Sequence, residues 1–266
     1  LPAAVNGDTA WEMGVAPDCH RGERPGALTS LLYLNALRAV AEIEEALGET
    51  RFAAHWREKA DRLARSLVRL FWDGGRGALA DDRARTRFSE HAQCLAILGG
   101  ILTPEQEGRA FAALTEGTGL VRATSYFSHY LFETYARRGR TDLILRRFDT
   151  WRNFLAHGAK TTFETPAVES RSDCHGWSAC PIYFLATAFA GVKPAEPFFR
   201  SVRIAPHPAA FGRIRTAVPS PEGVIRLDLR FADGRAAGSV ELPAGLSGTF
   251  DFGGVKRELR TGVNNL

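Results

Sequence analysis

Residues Pro25–Gly48 read PGALTSLLYLNALRAVAEIEEALG. Leu28, Leu31 and Leu32 recur at spacings of three and four, the period of one helical face, and Gly48 supplies a natural C-terminal stop. A second stretch of the same kind follows at once, from about Arg51 to Trp72, with Leu63, Leu67 and Leu70 on its apolar stripe. Two amphipathic helices joined by a short glycine turn make an αα-hairpin, and the pattern recurs. The next pair is expected over about Phe88–Leu98 and Pro104–Leu114. Thr103 serves there as N-cap, Pro104 takes the first helical position, and Gln106 completes a capping box. A third pair is SYFSHYLFETYARR, closed by Gly139, and Thr141–His157, closed by Gly158; a seventh helix follows Pro181 through IYFLATAFA to Gly191.

Helical hairpins in series form either an open solenoid or a closed ring. A solenoid of known repeat type shows a fixed period with signature positions. These hairpins differ in length and in turn residues, which favours a toroid with one helix of each pair inside and one outside. Seven helices are too few to close such a ring. The chain also begins at Leu1, and its only methionine is Met13. An incomplete (α/α) toroid is therefore expected, as part of a longer polypeptide whose N-terminal part is missing.

After the segment VKPAEP the pattern changes to short alternating stretches: SVRIAP, RIRTAVP, GVIRLDLRF, AGSVEL, GTFDF and VKREL. Such stretches, cut by Gly and Pro, read as strands, and Asp233-Gly234 is a hairpin turn signal. The expected fold is mainly α: a partial toroid over residues 1–195, followed by a small antiparallel β-sandwich over 196–266.

Composition excludes several classes. The 266 residues are 45% hydrophobic and 24% charged, with a formal charge of +4 carried by dispersed arginines. No run of five or six like charges suggests a nucleic-acid arm, and no apolar run reaches the roughly 18 residues needed to cross a bilayer. The expected partners exclude nucleic acid and membrane. Compartment is not legible.

The segment Thr161–Pro181, TTFETPAVESRSDCHGWSACP, has no regular apolar period, yet concentrates Glu, Asp, His, Trp and Cys. Long irregular segments in a compact domain are functional or disordered, and Phe163, Cys174 and Trp177 are residues that prefer burial. Four readings remain open. Zinc could be held by Cys174, His175 and Cys180, with Cys19 and His20, although the close ligand spacing of structural sites is missing. Cys174 could be a nucleophile beside His175, although adjacent side chains rarely face each other. Apart from the four, Cys174 and Cys180 could also pair. Glu164 and Glu169 could be solvated loop charges over a lid of Cys174 and Trp177. Finally, Glu164, flanked by apolar groups, could work on a sugar ring stacked on Trp177. Inverting glycosidases need such a carboxylate and a second one about 6.5–9.5 Å away.

The order of these features resembles the C-terminal half of bacterial α-L-rhamnosidases, glycoside hydrolase family 78. The matching pieces are SYFSHYLFETYARRGR, DTWRNFLAHG, TTFET after Gly158, SRSDCHGWSACP, GVKPAEPFFRSVRIAPH and LPAGLSGTF. The resemblance covers nearly the whole chain, and it is densest from about Ala123 to His207. It implies an inverting hydrolase of terminal α-L-rhamnose that needs no cofactor and no metal, with Glu164 as general base. Tyr126, Phe127, His175, Trp177 and Trp11 would line the sugar site. Tyr126 and Phe127 open a helix, so a core role competes for both. The family's general acid lies in an acidic, arginine-containing motif upstream. NGDTAWEMG and RGERPGA do not match that motif, and Glu12, Glu90, Glu133, Glu169 and Asp173 carry no specific signal. The acid is therefore expected on the missing N-terminal segment, leaving this piece nearly inactive alone. A same-fold glycosidase for another sugar and a non-catalytic carbohydrate-binding module are the alternatives.

Overall fold

The computed structural model describes residues 26–116, 119–164 and 172–266. Among them, contacts group the chain into two units. The first holds the described residues up to Thr134 together with Phe163, Glu164 and Ser172; the second holds Tyr135–Thr162 and Asp173–Leu266.

The first unit opens with α1 (Ala27–Ala46) and α2 (Thr50–Phe71), packed as a hairpin. Leu28, Leu31 and Leu34 of α1 and Leu67 and Phe71 of α2 are fully buried. Removing each such side chain from water stabilises the hairpin by about 1.5–3 kcal/mol, far more than helix propensity contributes. The chain then makes a small ladder that the helical reading did not foresee, β1 (Trp72–Asp73) against β2 (Ala78–Leu79). Helix α3 (Glu90–Leu98) follows, two residues shorter at its start than expected. Its true boundary is Ser89, whose hydroxyl accepts the Ala92 N–H at 3.2 Å. Gln93 of α3 holds β2 with both ends of its amide, accepting from Leu79 N–H and donating to Leu79 C=O, each at 2.8 Å. Helix α4 (Pro104–Glu116) starts with the expected capping box: Thr103 N–H donates to Gln106 Oε1 at 3.0 Å, and Gln106 N–H donates to Thr103 Oγ1 at 3.2 Å. Helix α5 (Ser128–Arg137) begins in the first unit and ends in the second.

In the second unit the single helix expected over Thr141–His157 is two helices, α6 (Thr141–Arg147) and α7 (Asp149–Ala156). Phe148 breaks the helix at φ −63°, ψ −9°. Its ring lies 6.0 Å from Phe189, and Asp149 favours the start of a helix, where its charge meets the N-terminal dipole. Helix α8 (Cys180–Phe184) widens into a π-helical turn over Leu185–Phe189.

The remaining strands are β3 (Val192–Pro194), β4 (Ser201–Ile204), β5 (Arg213–Ser220), β6 (Gly223–Ala232), β7 (Arg235–Leu242), β8 (Ser247–Phe252), β9 (Val255–Leu259) and β10 (Gly262–Asn265). They form two four-stranded sheets, ordered β10-β7-β6-β5 and β3-β4-β8-β9. All pairs are antiparallel except β4 with β8, which run parallel in the register Ser201 to Ser247. Ile225, Leu227, Leu229, Val240 and Leu242 from one sheet and Val202, Ile204, Phe250 and Leu259 from the other share one buried core. Asp233-Gly234 turns the β6–β7 hairpin with φ +50° and +71°, as a type I′ turn requires. Gly191 enters the sandwich at φ +73°, where a Cβ would lie 2.1 Å from the carbonyl of Ala205, so only glycine fits.

Candidate functional site

Phe88, at the entrance of α3, begins a run of hydrogen bonds. Val121 N–H donates to Phe88 C=O and Glu90 N–H donates to Val121 C=O, each at 2.9 Å. The Glu90 carboxylate, only 6% exposed, then accepts Ala123 N–H at 2.7 Å. Two residues on, the buried Ser125 hydroxyl donates to the Glu164 carbonyl at 3.0 Å, and Glu164 N–H donates to Ser172 C=O at 2.9 Å. The segment 121–125 is thus held by Glu90 on one side and grips Glu164 on the other.

Glu164 is 3% exposed. That removes the reading of it as a solvated loop charge. Both polar groups of its peptide are bonded within the unit, so the direction in which its side chain leaves the backbone is fixed. Tyr126 is half-buried beside this grip. Phe127 is fully buried, its ring 4.2 Å from His91 and 4.8 Å from Tyr130. Phe127 therefore lies among the buried side chains of the first unit. It stands in the turn that leads into α5, with Tyr126.

In the second unit Thr162 and His175 clasp each other. His175 N–H donates to Thr162 C=O and the Thr162 hydroxyl donates to His175 C=O, both at 2.8 Å. The Thr161 hydroxyl donates to the Asp173 carbonyl. The rings of His175 and Trp177 lie 4.2 Å apart at 46°, and both residues are half-buried. Trp151 of α7 donates its indole N–H to Ser178 C=O at 2.7 Å, fixing the turn that carries Trp177. The stretch expected to lack regular structure contains this turn at Gly176–Ser178 and the start of α8.

Trp11, Glu12, Cys19, His20 and Glu169 lie outside the described residues. Of the other conceivable acids, Glu133 is half-buried on α5 and Asp173 is exposed. Among the described residues no three His, Cys, Asp or Glu side chains gather as a metal site. Burial pushes the Cys180 thiol up to about 12, which keeps it protonated. A third buried acid, Asp81, accepts from the Ser89 hydroxyl at 2.7 Å, and burial pushes its carboxyl up to about 6. Ser125 and the bracing role of Glu90 were not foreseen. In sequence Thr124-Ser125 reads as an ordinary helix cap, and the partner of Glu90 is more than thirty residues away.

No curated relative matches the chain. Among solved structures, a family 78 rhamnosidase of Bacillus sp. GL1 superposes with a TM-score of 0.80 at 25% identity, over 87% of this chain and 26% of that one. An α-L-rhamnosidase of Aspergillus terreus gives 0.74 at 19% identity, over 88% and 29%. The Streptomyces avermitilis α-L-rhamnosidase complexed with L-rhamnose gives 0.72 at 14%, over 88% and 26%. The chain thus spans a little over a quarter of the length of these proteins. Two family profiles divide it without overlap: the bacterial α-L-rhamnosidase six-hairpin glycosidase domain at residues 11–189, and the bacterial α-L-rhamnosidase C-terminal domain at 191–266. The chain belongs to the bacterial α-L-rhamnosidase family.

Proposed function

We propose that the chain is the part of an inverting rhamnoside hydrolase that carries the general base, and that Glu164 is that base. The observation that carries the reading is a buried glutamate, held at both backbone groups, at the position the family motif TTFET assigns to the base. Catalysis of this type runs in one displacement. A water oxygen attacks the anomeric carbon as Glu164 takes its proton, while an acid on the opposite face protonates the departing glycosidic oxygen. The products are the inverted free sugar and the aglycone alcohol. His175 would donate to a sugar hydroxyl, the Trp177 ring would pack on the apolar face of the pyranose, and half-buried Tyr126 would flank Glu164. The general acid would come from a segment N-terminal to Leu1, so rhamnose release belongs to the longer polypeptide, with a terminal rhamnoside as substrate. No cofactor enters this chemistry.

The test is Glu164→Gln in the longer polypeptide with an aryl α-L-rhamnoside. Loss of the base removes a contribution of about 10²–10⁴ in kcat with little change in sugar affinity. Unchanged turnover would exclude Glu164 as base, and absence of hydrolysis before and after the change would favour a binding module.

A further inference from the structure

The outward face of the sheet β10-β7-β6-β5 presents an unbalanced row of guanidiniums. Alternation along the strands points Arg213 and Arg215 of β5 and Arg226 and Arg230 of β6 to the same exposed side, against the carboxylates of Asp228 and Glu241. Arg213 takes Asp228 in a fork, with Nε to Oδ1 at 2.8 Å and Nη2 to Oδ2 at 2.6 Å. Arg226 Nε lies 3.8 Å from Glu241 Oε2. Both acids are thereby engaged. Arg215 and Arg230 have no ion pair or hydrogen bond among the described residues. The register makes the imbalance sharper, because Arg213 stands directly opposite Arg230 across the ladder. Like charges so placed destabilise a sheet. Two clefts run over this face. One, of about 490 Å³, includes Arg215, Arg226 and Ser239; the other, of about 550 Å³, includes Arg230 and Arg235.

We propose that this sheet face is an accessory binding surface for an acidic polysaccharide, with Arg215 and Arg230 gripping successive carboxylates of the chain. Arg215 is level with Asp228, so Arg230 is its diagonal neighbour, at about 7–8 Å between Cα atoms. A ligand that meets both, and enters both clefts, must carry more than one negative group along its length. Guanidinium matches carboxylate geometry in paired hydrogen bonds, which suits a uronate. The outward positions of these strands hold no aromatic residue. That disfavours neutral sugars, which stack on rings, and single-stranded nucleic acid, whose binding leans on the same stacking. The choice of a glycan over other polyanions rests on the rhamnoside-hydrolase reading.

Affinity electrophoresis of the full chain through gels containing alginate, neutral dextran or single-stranded DNA tests the proposal. Alginate should retard the protein, dextran should not, and the retardation should vanish near 1 M salt, where the Debye length falls to about 3 Å. The R215A/R230A variant should bind alginate at least tenfold more weakly while keeping its circular dichroism spectrum, and R215K/R230K should keep part of the binding. Retardation unchanged in the alanine variant, equal retardation by dextran, or stronger retardation by DNA than by alginate would overturn it. Binding is read without turnover, so the two readings fail separately: Glu164→Gln should leave alginate binding intact, and R215A/R230A should leave aryl-rhamnoside hydrolysis by the longer polypeptide intact.

Discussion

At Asp81 the fold holds a carboxyl where an acid is least at ease. It is 2% exposed, and its Oδ2 has no hydrogen-bond partner among the described residues. Burial raises its pKa from 3.8 to about 6. The unfolded chain loses this proton near 4 and the folded chain keeps it to about 6, so in that window the folded state binds more protons and stability falls as pH rises. The full shift corresponds to about 3 kcal/mol. Asp81→Asn should flatten the fall in urea-unfolding free energy between pH 4 and pH 7 and leave the protein at least as stable as the parent at neutral pH; a slope unchanged by the substitution would exclude Asp81 as its source. Phe198 offers a second single-residue test. It and Phe199 both have positive φ, +61° and +54°, and Phe198 is 82% exposed. A left-handed L-residue costs about 1–2 kcal/mol, and the entropy cost of glycine offsets part of the relief. Phe198→Gly should leave the urea midpoint unchanged or raise stability by up to about 1 kcal/mol. A clear loss would mean that the exposed ring makes contacts. Legibility at this scale was mixed. Glu164 could be singled out by its flanking residues and motif, whereas the burial of Phe127 depends on how the turn before α5 meets His91, and that is decided by tertiary packing.

Helices were the most legible elements, because their signals are local. The capping box at Thr103 and Gln106 formed as read, and the glycine stops at Gly48, Gly139 and Gly158 adopt positive φ. The break at Phe148 was not legible, since a continuous apolar stripe survives it and its cause includes a ring about forty positions away and outside any local window, that of Phe189. The β1–β2 ladder escaped for the same reason: its two-residue strands show no period, and Gln93 secures it from another element. Strands β5 to β9 announced themselves by alternation, but β3 and β10 are too short to alternate visibly. The β-sandwich offers a prediction at this scale. Among the described residues its core draws on both sheets and, outside the strands and their loops, only on Ala190. A fragment of residues 191–266 should therefore keep its β-type circular dichroism and melt cooperatively, at a lower temperature than the full chain because it lacks the hydrogen bond from the Thr141 hydroxyl to His207 C=O and the Phe189–Phe211 contact. A spectrum of random coil would show that α6–α8 are needed for the sandwich to fold.

Across the whole molecule, composition draws a boundary near residue 195, where helical periodicity gives way to alternation. Contacts follow another line, grouping α6, α7 and α8 with the sandwich and leaving Glu164 with α1–α4. No window of sequence reveals this, because it depends on which side chains meet after the chain has returned. The parallel pairing of β4 with β8 carries the same lesson into biosynthesis. Its two partners, beginning at Ser201 and Ser247, are separated by the whole of β5, β6 and β7. Those three strands are joined by tight hairpins and can zip together as they leave the ribosome, whereas β4 must wait beside β3 with one edge bare until Ser247 has cleared the exit tunnel. During that interval the nascent chain exposes an unfilled sheet edge, the feature that recruits neighbouring polypeptides. Slowing translation after Ile204 should lengthen this vulnerable period and increase the dependence of the yield on chaperones.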